Sequence, residues 1–223
     1  MLRLLRSALL YVSCLLLFSL SGYTQEKPPF WNDIETIKAY DNMYAPPKDP
    51  ILFIGSSSIR KWVDFNKTFG AYRVLNRAIG GAVTSDVDRY LNDIVFPYHP
   101  KQLVIYVGEN DLINAPDAET VFADFKKLYA DLRVKLPVIP IVYISIKGSP
   151  SRIKYQEKAK KSNLLIAQFI KSEKNIVYLD VYQPMLDTKG NMQPALFTSD
   201  MLHMNASGYK IWNKLLMPYL LKD

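Results

Sequence analysis

Residues 51–62, ILFIGSSSIRKW, run four apolar residues into a glycine and then three consecutive serines. The apolar run is short, and Gly55 closes it, so the pattern predicts a buried strand turning sharply into a helix. Serines at such a turn admit three readings. One is a nucleophile, another a phosphate-cradling loop on helix N–H groups, and the third a cap for the helix beginning near Ser58. The stretch alone does not choose among them, nor among the serines.

Outward from it, strand-like runs recur at residues 72–75, 103–107, 138–144 and 176–179, each bounded by Pro, Gly, Asn or Asp. Helical patterns lie at 31–43 (with Asn32 or Asp33 as cap), 85–94, 118–135, 152–171 and 206–221. In the last, Tyr209, Trp212, Leu215, Leu216 and Tyr219 recur at helical spacing and predict a packing stripe. Strand alternating with helix predicts an α/β fold, a parallel sheet covered by helices on both faces. Right-handed crossovers put every strand C-terminus on one edge, where ligand sites form. Residues just after a strand are therefore candidates, and residues just before one are not.

The 223 residues are 49% hydrophobic and 22% charged, enough for one domain with a full core. Residues 1–25, MLRLLRSALLYVSCLLLFSLSGYTQ, place Arg3 and Arg6 before an apolar run and then small residues at Ser19, Ser21 and Gly22. That is the layout of a secretory signal peptide, expected over 1–24 with cleavage between Ser21 and Gln25; an uncleaved anchor is the alternative. Cys14, the sole cysteine, lies inside it, and Tyr11 departs from the pattern of a lipoprotein site. The rest of the chain then has neither disulfide nor thiol chemistry. The expected location is secreted or periplasmic in a bacterial envelope, without stable membrane insertion after cleavage. The formal charge of +7 becomes +5 without Arg3 and Arg6. Basic residues are scattered, and KAKK (158–161) reads as a solvated helix face rather than a nucleic-acid patch.

Four segments pass the edge criterion: GSSS (55–58), NRAIGGAVTSD (76–86), GEND (108–111) and SDMLHMNASGY (199–209). Of two histidines, His99 precedes the third strand between Pro97 and Pro100 and reads as a loop residue. His203 follows Asp200 by three, a separation that lets one turn of loop bring a carboxylate to the imidazole Nδ1. Two histidines and no cysteine beyond the leader leave no histidine-rich metal site, and no cofactor is expected. A nucleophilic serine also needs donors for the developing oxyanion. The candidates are its own N–H, the Gly81 N–H and the Asn110 amide. Each element also has a plainer reading, Gly80-Gly81 as a turn and Asn110-Asp111 as a helix cap. Glu109, Asp111 and Arg77 flank these positions as structural or substrate-contacting groups.

The four segments, in order, resemble the blocks of the SGNH hydrolases, the GDSL-like lipase/acylhydrolase family. FIGSSSI (53–59) resembles its Gly-Asp-Ser block and NRAIGGAVT (76–84) its glycine block. YVGEND (106–111) resembles its Gly-x-Asn-Asp block and DMLHMNASGY (200–209) its Asp-x-x-His block. The likeness covers nearly all of 25–223 and is nearest to secreted bacterial members similar to platelet-activating-factor acetylhydrolase. It implies a flavodoxin-like, three-layer α/β/α sandwich on a five-stranded parallel sheet. By the same resemblance Ser57 is the nucleophile, His203 the base and Asp200 its orienter, with an oxyanion hole of Ser57 N–H, Gly81 N–H and Asn110 Nδ2. Two positions depart from the family: Ser56 replaces the acid of the first block, and Ala82 stands where the glycine block often carries one. The chain has no Gly-x-Ser-x-Gly elbow, and its Asp and His are adjacent and late, unlike an α/β-hydrolase.

The expected activity is ester hydrolysis through an acyl-enzyme, removing short acyl (acetyl) groups from a glycan. Partners are then small-molecule or glycan esters, not nucleic acid. The alternatives are a lipid-ester hydrolase and a non-catalytic glycan- or phosphate-binding module of the same fold.

Overall fold

The strand predicted after Pro50 forms as Ile51–Gly55 (β1) in the computed structural model, which describes residues 26–222. The leader assigned to 1–24, with Cys14, lies outside those residues. Val74–Asn76 (β2), Gln102–Tyr106 (β3), Ile141–Ile144 (β4) and Ile176–Leu179 (β5) complete a five-stranded sheet, parallel throughout, in the order β2-β1-β3-β4-β5. The chain moves outward from β1 to β2, then returns to the other side of β1 with β3. That reversal makes the carboxyl ends of β1 and β3 the switch point where a crevice opens.

Alternation along β1 and β3 feeds two separate cores. Leu52, Ile54, Leu103 and Ile105 pack toward Val87, Leu128 and Ile166 of the helices on one face. Ile51, Phe53, Val104 and Tyr106 pack toward Ile59, Trp62, Tyr209 and Trp212 on the other. Both strands are buried along their whole length, as a sheet covered on both faces requires. At roughly 1.5–3 kcal/mol per buried large side chain, these two faces dominate stability. The three-layer sandwich is thus present as expected.

The helix Ala118–Lys135 matches its predicted span, with the Asp117 side chain capping it through Thr120 N–H. Differences elsewhere have local causes. The fourth strand is shorter than 138–144 because Pro137 and Pro140 lack the N–H a ladder needs. The predicted helix 85–94 forms as Thr84–Arg89 and Leu91–Ile94, broken at Tyr90, whose hydroxyl donates to Pro29 O. Residues 150–155 form 3₁₀ turns before the helix Gln156–Ile170. The last helix stops at Leu216, Pro218 following in a 3₁₀ turn, so Tyr209, Trp212 and Leu216 are buried while Tyr219 leaves the stripe, 42% exposed. Neither Asn32 nor Asp33 caps the first helix, Trp31–Met43, which starts after Phe30; Asp33 instead pairs with Arg60.

Candidate active site

Gly55 ends β1 with φ 128°, and a Cβ there would stand 1.8 Å from the Tyr106 carbonyl oxygen. Only glycine lets β1 and β3 close up and the chain turn at once into the helix Ser57–Arg60. Ser57 is the first helical residue and partly exposed, whereas Ser56 and Ser58 on either side are buried. Ser56 sits at the cap position without a side-chain capping bond, so capping does not account for this serine cluster. As the first residue of its helix, Ser57 has an N–H without an intrahelical acceptor.

Across the crevice, residues 197–204 form a small hairpin-like loop, closed by a Phe197–Met204 bridge and by Thr198 N–H donating to His203 O at 2.8 Å. Within it Met201 adopts the left-handed conformation, φ 55°. The chain folds back so that Asp200 meets the residues three positions on. Asp200 Oδ1 accepts the Leu202 and His203 N–H groups, each at 2.9 Å, and Oδ2 lies 2.6 Å from His203 Nδ1. With Nδ1–H donating to Asp200, Nε2 accepts from the Ser57 hydroxyl at 3.1 Å. The Lys61 ammonium lies 3.5 Å from Nδ1 and completes the rim. Asn205 then caps the last helix through Ser207 N–H, and its amide anchors to Ala195 O and Phe197 O.

The His203 imidazole beside Asp200, followed by the two backbone N–H groups, holds this carboxyl well below the usual carboxylate range. A depressed folded-state pKa gives stability that is fully present above the unfolded value of about 3.9 and is lost only as pH falls through the folded one. An acid titration of the Asp200 carboxyl carbon by NMR is therefore expected to show a midpoint clearly below about 3.9. A midpoint at or above that value would show the contact is not maintained in solution.

The donor side is assembled from two loops. Gly81, in the loop after β2, has φ 86° and is exposed. Asn110 Nδ2 donates to Ala82 O at 3.0 Å, tying β3's loop to the glycine loop and leaving the second amide hydrogen for a ligand. The amide orientation is set from the far side, where Arg152 donates to Asn110 Oδ1 at 3.1 Å and to Glu109 O at 3.2 Å. A guanidinium has no acceptor, so Oδ1 must face it and Nδ2 the other way, toward Ala82 O. The glycine loop is braced by two carboxylates: Asp111 Oδ1 accepts Thr84 N–H at 2.9 Å, and Asp86 accepts Val83 N–H at 3.1 Å.

Beneath both loops lies a buried ion pair that the sequence reading did not single out. Lys147 Nζ donates to Glu109 Oε1 at 2.6 Å and to Leu202 O at 2.9 Å, with both side chains essentially buried. Tyr106 hydroxyl donates to the other Glu109 oxygen at 2.9 Å, and Ser149 adds a contact at 3.3 Å. One lysine thus links the Asn110 loop to the Asp200–His203 loop. Its position just past β4, on the carboxyl edge, was the available signal. Glu109 and Asp111 are therefore structural, and so is Arg77, which pairs with Asp41 and donates to Tyr98 hydroxyl at 2.8 Å. His99 is exposed at the opposite edge, before β3. Among the described residues, none group to hold a metal ion, and no helix is long and apolar enough to cross a membrane.

A parallel sheet whose carboxyl edge brings a serine, a histidine and an aspartate into one hydrogen-bonded chain is the arrangement of a serine hydrolase on an α/β/α scaffold. The sequence profile of the GDSL-like lipase/acylhydrolase family matches residues 55–211, and the chain belongs to that family. It is an ester hydrolase of the SGNH kind.

Among solved structures it is similar to a protein assigned as a platelet activating factor from Streptococcus pneumonia, at TM-score 0.74 and 22% identity over 85% of this chain and 92% of that one. A GDSL-like lipase from Bacteroides thetaiotaomicron aligns at TM-score 0.68 and 20% identity, covering 84% and 96%. An acetyl-xylooligosaccharide esterase from Geobacillus stearothermophilus, solved as a single-substitution mutant, aligns at 0.61 and 16%, covering 78% and 94%. These likenesses show a shared fold. A search of curated proteins gave no match.

Proposed function

We propose that Ser57 is the nucleophile of an esterase that removes short acyl groups, acetyl foremost, from carbohydrate hydroxyls. Ser57 Oγ attacks the ester carbonyl carbon while its proton passes to His203 Nε2. The Ser57 and Gly81 N–H groups and the free Asn110 hydrogen receive the oxyanion, and Asp200 holds the imidazolium. The C–O bond to the alcohol breaks and the alcohol leaves with the proton from His203. Water, deprotonated by His203, then attacks the acyl-serine, releasing the carboxylic acid and restoring the Ser57 hydroxyl.

The observation that carries the short-acyl reading is the shallowness of the site. The Asp200 side chain is 48% exposed and Gly81 lies open. Behind Asn110, the cavity beside Glu109 and Arg152 measures about 10 Å³, room for about one water and not for an alkyl chain. A site open to solvent accepts an ester on a bulky polymer. The fold shared with an acetyl-xylooligosaccharide esterase and the leader-like residues 1–24, which would export the enzyme toward envelope polysaccharide, support the same reading.

One observation favours lipid esters instead: Ile113, Ile153 and Met201 are exposed, each close in sequence to a residue of the site. A chain-length series separates the two. Across p-nitrophenyl acetate, butyrate, octanoate and decanoate, kcat/KM is expected to fall by roughly tenfold or more from the shortest to the longest. A rise with chain length would replace the acetyl reading with the lipid one.

A further inference from the structure

Building on the ester-hydrolase reading of Ser57, we propose that the groove between the helix Trp31–Met43 and the segment after Ser57 is a subsite for a neutral sugar, seating the alcohol half of the substrate. The groove is open to solvent and offers about 370 Å³, and its walls include Asp33, Tyr40, Arg60, Phe65, Asn66 and Ala78. Its place in the fold points to the reaction. Arg60 ends the single helical turn that Ser57 begins, and Ala78 follows β2 on the carboxyl edge, between Asn76 and the glycine pair. A Cβ at Gly80 would lie 3.3 Å from Arg60 Cδ, so the arginine stem packs against the loop that presents Gly81 N–H. Arg60 thereby joins the glycine loop to the groove.

The chemistry of the walls selects the ligand. Arg60 Nη1 donates to Asp33 Oδ1 at 2.5 Å, while the two side chains stay 50% and 33% exposed. The guanidinium keeps further N–H donors and the carboxylate a second acceptor oxygen, side by side. That arrangement matches vicinal hydroxyls, each of which donates and accepts. Tyr40 is 56% exposed and stacks on Tyr44 with ring centroids 6.4 Å apart and planes 26° from parallel. The Tyr40 ring, backed by Tyr44, offers an amphipathic surface for the C–H face of a sugar ring, and the exposed Asn66 adds an amide. The charges of Arg60 and Asp33 cancel, so the groove has no excess cation to draw a phosphate headgroup.

The test uses Tyr40→Ala and Asn66→Ala, both surface positions, alongside the unaltered full chain. On methyl acetate, whose alcohol half is too small to fill the groove, both variants are expected to lose far less than on an oligosaccharide ester. On an acetylated xylo-oligosaccharide each is expected to lose about tenfold in kcat/KM, mostly through KM. Equal rates on the oligosaccharide would overturn the subsite and leave the esterase standing. Inactivity of the unaltered protein on p-nitrophenyl acetate would sink the esterase reading instead. Calorimetric titration with unacetylated xylo-, cello-, manno- and N-acetylglucosamine oligomers examines the groove without catalysis. At least one is expected to bind and to bind more weakly to Tyr40→Ala; binding of none, or equal binding by the variant, overturns the proposal.

Discussion

Replacing Ser57 with alanine is expected to lower kcat on ester substrates by a factor on the order of 10⁴ to 10⁶, the range seen when a triad serine is removed. The variant should also lose labelling by a fluorophosphonate probe. The change deletes one oxygen whose described partner is His203 Nε2, at 3.1 Å, on a partly exposed residue. Stability should therefore stay within about 0.5 kcal/mol. Neighbouring serines serve as controls. Ser58 is buried with its hydroxyl unpartnered among the described residues, and Ser56 is buried at the start of the turn. Neither has a described contact with His203, so Ser56→Ala and Ser58→Ala should keep activity within an order of magnitude. Retained turnover or labelling in Ser57→Ala would remove it from the role of nucleophile.

Lys147→Met is expected to cost about 3–5 kcal/mol of stability, because Glu109 then stays buried without its counter-charge. For a chain of this size that is a fall of roughly 10 °C in Tm. Burial pushes the Lys147 ammonium down and Glu109 pulls it back up, so the pair stands or falls together. The double variant Lys147→Met with Glu109→Gln removes the lone charge, the amide oxygen accepting from one of the Tyr106 and Ser149 hydroxyls and the NH₂ donating to the other. Its Tm should recover most of the loss. Activity should not recover, since the Leu202 carbonyl, one residue from His203, has lost the ammonium that fixes it at 2.9 Å. A misplaced base costs on the order of 10²-fold in kcat. Thermal unfolding and kcat measured on both variants separate the two effects. An unchanged Tm in the single variant would show that the pair contributes nothing, and full activity in the double variant would show that the loop holds its own position.

Much of the architecture could be read from local signals. Apolar runs of strand length, ended by Gly55 or Asn76 and separated by helical patterns, were enough for a parallel sheet with one active edge. The long helix over 118–135 was legible to its ends because its periodicity and the Asp117 cap agree. Boundaries slipped where one residue overrode the pattern, as Pro140 did for β4 and Tyr90 for the helices around it. Ser57, Gly81 and Asn110 could be singled out as candidates because they follow β1, β2 and β3, and Asp200 and His203 because they lie in the loop before the last helix, in the family's order. The fold joins Ser57, His203 and Asp200 in one hydrogen-bonded chain.

For the braces behind them, position on the edge was a signal for Glu109 and Lys147 but did not pair them. Glu109 and Lys147 are 38 residues apart, and Asn110 and Arg152 are 42 apart. Lys147 is one of 28 lysines and arginines, and nothing near SIKGSP marks it as buried rather than solvated. It becomes an ion-pair partner only because β4 lies next to β3 and the 197–204 loop closes over its ammonium. The groove beside Arg60 likewise exists only where the first helix packs beside the turn after β1. Short-range periodicity and turn chemistry act over a few residues and so reveal strands, helices and the edge. Which of many similar cations loses its water, and which carboxylate meets it, is settled by packing between segments distant in sequence.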